Sequence, residues 1–324
     1  MMANVISASR RTDIPAFYAA WFVQRLKEGS VAVQQPYSGK IMRVSLKRED
    51  VSAIVFWSKN YAPLIEKLES IELTTKNLFF HFTITAAQEL EPEVPDYRSA
   101  VRDYLYLAKR YTSRQIVWRF DPLCITDKMP FEVYQERFLR CAELLKGNVS
   151  ACIISFAHPY KKVIANFKKD TRHLLVELTV VQKRDYARRL AEIARRYGIG
   201  ISACCNDYLT SNEVKKAACI DGALLSTLFN TPLDTRRAST RQECACTKSI
   251  DIGAYDTCAH GCLYCYANTN KDQAERALRL HNPAWNSLRM DVPENGVSKA
   301  QQEPPVKGRT MPAIAIVYDH RNGD

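Results

Sequence analysis

Short apolar runs alternate with amphipathic helical patterns along most of the chain. Runs rich in β-branched and aromatic residues predict strands at residues 5–9, 51–57, 78–85, 115–119, 152–156 and 199–204. Apolar residues at helical spacing predict helices at residues 17–27, 62–70, 97–110, 131–146 and 184–197. A late strand at residues 250–255 and a hairpin of residues 31–34 with 41–46 complete the pattern. Strands that alternate with helices predict an α/β fold with parallel strands and right-handed crossovers.

The number of these units predicts a full or partial (β/α) barrel of the TIM type. Residues 1–200 supply the barrel units, and the cysteine-rich residues 201–288 are expected to complete the barrel. Residues 289–324 are expected to be a flexible tail because most of this stretch has little apolar content. Inside that tail, residues 313–318 predict an isolated strand.

Polar residues follow the predicted strands at their carboxyl ends, which is where barrel enzymes place their active sites. They are expected to face one cavity and to form a binding site. For each one taken alone, the alternative is a salt bridge or a loop hydrogen bond. The set consists of Arg10, Arg11, Asp13, Lys59, Arg119, Asp121 and His158.

Cys258, Cys262 and Cys265 form a C-x3-C-x2-C motif with Tyr264 just before the third cysteine. Three thiolates on one loop can hold three irons of a 4Fe–4S cluster and leave the fourth iron open for chemistry. A zinc site is the first alternative, but structural zinc favours paired C-x2-C knuckles and four ligands. His260, inside the motif, is expected to shape the loop rather than to be a ligand.

Four further cysteines lie in three segments before this motif: Cys205, Cys219, Cys244 and Cys246. Four thiols would close a second 4Fe–4S cluster with no open iron, and Cys204 could replace its neighbour Cys205. The alternative is a group of buried core thiols, which is the interpretation for Cys124, Cys141 and Cys152.

The composition is that of an ordinary globular chain, with 324 residues, 46% hydrophobic, 25% charged and a formal net charge of +11. Residues 161–200 hold eleven Lys or Arg and only four Asp or Glu. This excess favours a basic, solvated helix face over a nucleic-acid binding surface. No apolar run approaches the ~20 residues that a membrane span needs. No signal peptide is visible at the start, so we expect a cytoplasmic protein with reduced thiols, which argues against disulfides.

Five segments resemble the bacterial family named domain of unknown function 1848, and the resemblance covers roughly residues 4–288. They are residues 6–15 (ISASRRTDIP), 56–60 (FWSKN), 117–122 (VWRFDP), 219–221 (CID) and 244–268. The cysteine loop of this family is similar to the cluster loop of radical S-adenosylmethionine (SAM) enzymes. The resemblance implies a 4Fe–4S cluster and SAM as cofactors, with Tyr264 beside them, and leaves the substrate open.

The position of the motif differs from that of ordinary radical SAM enzymes, whose cluster loop usually follows the first barrel strand. Here it follows the last predicted strand, which suggests a circularly permuted radical SAM barrel. On that hypothesis the first strand leads into Arg10, Arg11 and Asp13, where those enzymes carry a glycine-rich segment. The arginines could bind the carboxylate of SAM and Asp13 its ammonium group.

The sequence therefore predicts a radical SAM-like enzyme that acts on a small molecule and receives electrons from a donor such as a flavodoxin or ferredoxin. Two alternatives remain: an iron–sulfur protein that only transfers electrons, and a nucleic-acid-directed repair or modification enzyme. A membrane partner is not expected.

Overall fold

The computed structural model describes residues 3–36 and 38–293, and the backbone of residues 298–299. The strands are β1 (Asn4–Ala8), β2 (Ser30–Gln34), β3 (Ile41–Ser45), β4 (Val51–Ser58), β5 (Leu78–Thr83), β6 (Ile116–Arg119), β7 (Ala151–Ile154), β8 (Gly200–Ala203), β9 (Val214–Lys216), β10 (Ile250–Asp251) and β11 (Ser298–Lys299). The helices are α1 (Ile14–Phe17), α2 (Ala19–Glu28), α3 (Ala62–Ile65), α4 (Leu68–Glu72), α5 (Tyr97–Arg110), α6 (Phe131–Leu145), α7 (Lys161–Lys169), α8 (Val180–Arg196), α9 (Gly222–Phe229) and α10 (Lys271–Leu280).

Eight strands form one parallel sheet in the order β10-β1-β4-β5-β6-β7-β8-β9. The expected α/β fold with parallel strands is therefore confirmed. Strands β10 and β9 stand at the two ends of this row. Ile220 follows β9, and Thr247 precedes β10. The amide of Thr247 donates a hydrogen bond to the carbonyl of Ile220 at 2.9 Å, which connects the segments next to the two end strands. Because the strands are parallel, their carboxyl ends meet at one edge of the sheet, and the predicted site residues follow those ends.

The sheet is buried on both faces, which explains the near-continuous apolar runs in the sequence. Successive side chains of a strand point to opposite faces. On β4, Ile54 and Phe56 belong to the large core, which includes residues of the surrounding helices. Val55 belongs to a second core, and Trp57 packs against it. That second core also contains three cysteines of the predicted second group, Cys219, Cys244 and Cys246, together with Cys204.

Most elements predicted in the first two hundred residues are observed, whereas helix α7 was not predicted. The hairpin is present as the antiparallel pair of β2 and β3, and β11 pairs with β3 in parallel. The helix predicted at 62–70 is two short helices, and the strand predicted at 250–255 ends at Asp251. Most of the predicted tail, including the strand predicted at residues 313–318, lies outside the described residues. Across the part of the chain that the structure describes, no helix is long and apolar enough to cross a membrane.

Gly253 lies just after β10, where the chain passes very close to the end of β1. A Cβ atom at this position would lie 2.6 Å from the Cβ of Ser9 and would also clash with its Oγ. Gly253→Ala should therefore destabilise the fold by roughly 1–3 kcal/mol, the usual cost of overpacking. The matched control is Gly200→Ala, where the new Cβ would meet its nearest neighbour at an ordinary 3.6 Å. Chemical unfolding of both variants checks this, and equal midpoints would contradict it.

Candidate metal centre

Hydrogen bonds that involve the backbone of the C-x3-C-x2-C loop hold it together and fix it to the body of the protein. The hydroxyl of Tyr18 donates to the carbonyl of Thr257 at 2.6 Å. The side-chain amide of Asn268 donates to the carbonyl of Cys258, also at 2.6 Å. The amide of Leu263 donates to the carbonyl of Leu90 at 2.9 Å, in the loop that follows β5. These contacts place the loop beside the carboxyl ends of the first strands of the sheet.

Asp13 connects this loop to β4 and α1. Its carboxylate accepts hydrogen bonds from the Ala16 amide at 3.0 Å, the Ser58 hydroxyl at 2.6 Å and the Lys59 amide at 2.9 Å. The fourth partner is His260 Nε2, which lies 2.8 Å away and is buried. With four donors around it, Asp13 is suited to positioning the loop through His260. The expected role of His260 in shaping the loop agrees with this contact.

The three thiols of the loop influence one another. Burial raises the pKa of Cys258, and Cys265, Asp13 and Cys262 raise it further. Burial also raises the pKa of Cys262, although Lys59 opposes this, and it raises the pKa of Cys265. Burial thus favours the protonated forms of these thiols, and a bound metal would favour their thiolate forms.

The spacing of possible ligands bears on which metal would fit. In the described part of the chain, no three or more His, Cys, Asp or Glu side chains are gathered tightly enough to hold one metal ion. A zinc ion needs every thiolate within about 2.3 Å of a single point. In an iron–sulfur cluster each thiolate binds a different iron, so the ligands are farther apart. The two kinds of centre therefore require different ligand spacings, and metal analysis of the purified protein distinguishes them.

A buried group of Glu91, Tyr264, Thr85 and Lys59 lies next to the loop. Glu91 Oε1 accepts from the hydroxyl of Tyr264 and, at 2.5 Å, from that of Thr85. Lys59 Nζ lies 3.1 Å from the same oxygen and 5.7 Å from the centre of the Tyr264 ring. Burial, the largest single influence, disfavours charge on Lys59, but Glu91 together with Cys262 and Asp121 outweighs it and raises the pKa of this amine above its usual range. Tyr264 and Lys59 are thus brought together, and sequence reasoning missed Glu91, which joins them.

Arg10 and Arg11 lie at the end of β1 and form ion pairs with Asp251 of β10. Their Nε atoms lie 3.5 Å and 3.9 Å from the Asp251 carboxylate. The hydroxyl of Tyr266 donates to the carbonyl of Arg10 at 2.6 Å, so this segment borders the cluster loop. Arg10 Nη1 is buried and has no hydrogen-bond partner among the described residues. Asp251 was not predicted as a site residue.

Arg119 and Asp121 lie at the end of β6 as a buried ion pair, with Arg119 Nη2 and Asp121 Oδ2 2.5 Å apart. The Ser155 hydroxyl also donates to Asp121, at 3.0 Å. Arg119 Nη1 donates to the sulfur of Cys219 at 3.1 Å, which links the ion pair to the second cysteine group. His158 is exposed at the surface, and partial loss of solvent around its ring, followed by the charges of Arg241 and Lys183, lowers its pKa.

The second cysteine group contains Cys204 as well as the four predicted members. Sulfur–sulfur contacts of 3.1 Å and 3.8 Å join Cys204 to Cys219 and to Cys205. Cys205 and Cys244, Cys244 and Cys246, and Cys246 and Cys219 also shift each other's pKa, so the thiols of each pair lie near one another. The five thiols thus form a closed ring. Hydrogen bonds with Cys205 and Cys219 lower the pKa of Cys204, and those with Cys205 and Cys246 lower that of Cys244.

Two charged residues lie between the cysteine groups, and sequence reasoning missed one of them. Arg10 interacts electrostatically with Cys246 and Cys244 as well as with Tyr266 of the cluster loop. Arg241 interacts with Cys205 and Cys204 and, again, with Tyr266. Both guanidinium groups therefore lie near both sets of thiols. Arg241 could have been suspected only from its place three residues before Cys244.

The fold and the two thiol groups define an α/β protein with cysteine sites at the carboxyl edge of a parallel sheet. Residues 5–267 match the family described as Domain of unknown function (DUF1848), and the chain belongs to that family. No curated protein and no solved structure gives a significant match.

Proposed function

We propose that this protein is a radical SAM-like iron–sulfur enzyme. Cys258, Cys262 and Cys265 would hold three irons of a 4Fe–4S cluster, and SAM would take the fourth. The observation that carries the proposal is the C-x3-C-x2-C motif on one anchored loop, in which Cys262 is buried and Cys258 and Cys265 are half-buried. A reduced cluster of this type supplies the electron that cleaves SAM to methionine and a radical that abstracts hydrogen from a substrate.

The residues around the loop have separable roles in this proposal. Arg10, with its buried and unpaired Nη1, would bind the SAM carboxylate, and Arg11 would assist it. Asp13 was predicted to bind the ammonium group, but its four hydrogen bonds favour a positioning role for it. Tyr264 would support the cofactor site through Glu91.

The ends of the middle strands would provide the substrate site. Lys59 interacts electrostatically with both Cys262 and Asp121. It would therefore connect the cluster loop with the Arg119–Asp121 pair. These buried charges suit a small polar substrate. His158 would lie at the solvent-exposed entrance.

The strand order supports a circularly permuted barrel as part of the same proposal. β10, which precedes the cluster loop, is the neighbour of β1 in the sheet. The loop of a usual radical SAM barrel precedes the next strand in the same way, and on this proposal β1 would correspond to that next strand. An external one-electron donor, such as a flavodoxin or ferredoxin, would reduce the cluster.

Anaerobic reconstitution with iron and sulfide, followed by dithionite and SAM, tests the proposal. We expect 5′-deoxyadenosine and methionine in equal amounts by chromatography, and a change in the electron paramagnetic resonance spectrum when SAM is added. A reduced cluster whose spectrum ignores SAM, with no cleavage products, would instead indicate a protein that only transfers electrons. Salt-sensitive affinity for oligonucleotides would favour the nucleic-acid alternative.

A further inference from the structure

The ring of five thiols draws its members from three separate parts of the chain. Two follow β8, one follows β9, and two lie in the loop that leads to β10. The thiol of Cys204 contacts those of Cys205 and Cys219, and the shortest sulfur–sulfur distance is 3.1 Å. The members are Cys204, Cys205, Cys219, Cys244 and Cys246. In a bound cluster, iron–sulfur bonds would take the place of these sulfur–sulfur contacts.

The backbone is shaped so that neighbouring thiols reach the same place. Successive residues of an extended chain point to opposite sides, so Cys204 and Cys205 would normally diverge. Cys205 instead has a left-handed conformation with φ of 50°, which turns its thiol to within 3.8 Å of that of Cys204. Glu243, just before Cys244, has φ of 61°. Side chains other than glycine adopt this conformation at a cost and rarely without a purpose.

Hydrogen-bond donors surround the sulfurs. Arg119 donates to Cys219 at 3.1 Å, and the amide of Ile220 donates to Cys246 at 3.4 Å. The hydroxyl of Thr240 lies 3.6 Å from the sulfur of Cys244. On the opposite side, Arg241 Nη2 lies 3.8 Å from the sulfur of Cys204. Two guanidinium groups and several further donors suit a negatively charged group of thiolates.

Core thiols of the same protein provide the contrast. Cys141 and Cys152 are fully buried in the large core among helix and strand side chains. Burial raises the pKa of both thiols, as is expected of small hydrophobic residues. No hydrogen bond from a guanidinium to either sulfur is present among the described residues. The five-thiol ring therefore differs from these core thiols in its charges and its donors.

We propose that this ring binds a second iron–sulfur cluster, in which four of the five thiols are ligands and no iron is left open. Such a cluster would carry electrons and would not bind SAM. The site depends on neither the C-x3-C-x2-C loop nor SAM cleavage, so the two proposals can fail separately.

Iron and acid-labile sulfide analysis of anaerobically reconstituted protein tests the site, with zinc measured in the same samples. We expect about eight irons in the wild type, the sum of two 4Fe–4S clusters. The triple variant Cys258→Ala, Cys262→Ala, Cys265→Ala should retain about four, and so should Cys219→Ala with Cys246→Ala. The matched control Cys141→Ala removes a core thiol and should retain about eight.

The iron count of the wild type decides the question even if a variant fails to fold. About four irons in the wild type, or one zinc per chain that is lost with Cys219 and Cys246, would overturn the second cluster. So would a folded triple variant without iron. If SAM is not cleaved but the triple variant keeps about four irons, the function proposed above fails and the second site stands.

Discussion

Replacing Cys262 by Ala will abolish SAM cleavage and reduce it to the rate of the iron-free protein. Cys262 is the middle thiol of the loop, and two thiolates cannot hold three irons of an open cluster. Lys59 is the cation with the largest effect on the pKa of this thiol. It cannot replace the thiol as a metal ligand, because an ammonium group has no lone pair. The measurement is 5′-deoxyadenosine formed by anaerobically reconstituted protein, normalised to the protein concentration.

Cys141→Ala is the matched control because it also removes a buried thiol, on α6 in the large core. It should cleave SAM at the wild-type rate. The iron content separates the possible causes of inactivity, since loss of the first cluster alone should leave about four irons at the second site. A Cys262→Ala protein that still cleaves SAM would show that the loop is not the cluster site.

The sequence was sufficient for the elements whose pattern is local. The helices predicted at 97–110 and 131–146 agree within one residue with α5 and α6, because their apolar residues recur at helical spacing. The helix predicted at 62–70 breaks at Lys67, although Leu64, Leu68 and Ile71 are buried as one continuous face would require. A pattern of burial does not reveal an interruption of the backbone.

Short strands were the elements that local patterns could not define. β9 has only three residues, two of them lysines, and it is held by its pairing with β8. β10 ends after two residues, where Gly253 brings the chain against Ser9. Such strands depend on neighbours that lie far away in the sequence, and no spacing in their own segment marks them.

The candidate site divides in the same way. The C-x3-C-x2-C motif is local and was visible in the sequence. Glu91, Arg241 and Asp251 were missed because their partners come from distant segments, as with Asp251, whose bond to the Arg10 amide spans 241 positions. Cys204 was recognised only as a substitute for Cys205, since an extended chain would have pointed the two thiols apart.

Replacing Asp251 by Asn should destabilise the protein by roughly 3–5 kcal/mol, the usual cost of breaking a buried ion pair. Asp251 accepts hydrogen bonds from the hydroxyls of Ser7 at 3.0 Å and Ser9 at 2.6 Å, and from the Arg10 amide at 2.8 Å. Burial alone would raise its pKa, but Arg10 and Arg11, together with the hydrogen bonds from Ser9 and the Arg10 amide, outweigh burial and hold the pKa below its usual range. Asn would leave these two cations without their counter-charge where β10 joins β1.

The measurement is the free energy of unfolding in urea under anaerobic conditions, for the metal-free and the reconstituted protein. Asp185→Asn is the matched control, because Asp185 also pairs with two arginines, Arg188 and Arg189, but on the exposed face of α8. Exposed pairs of this kind contribute little, so the control should unfold at the wild-type midpoint. If Asp251→Asn also unfolds at that midpoint, the junction between β10 and β1 does not depend on this charge. A fall in stability with an unchanged iron content would show that Asp251 supports the sheet and not the cluster loop that follows it.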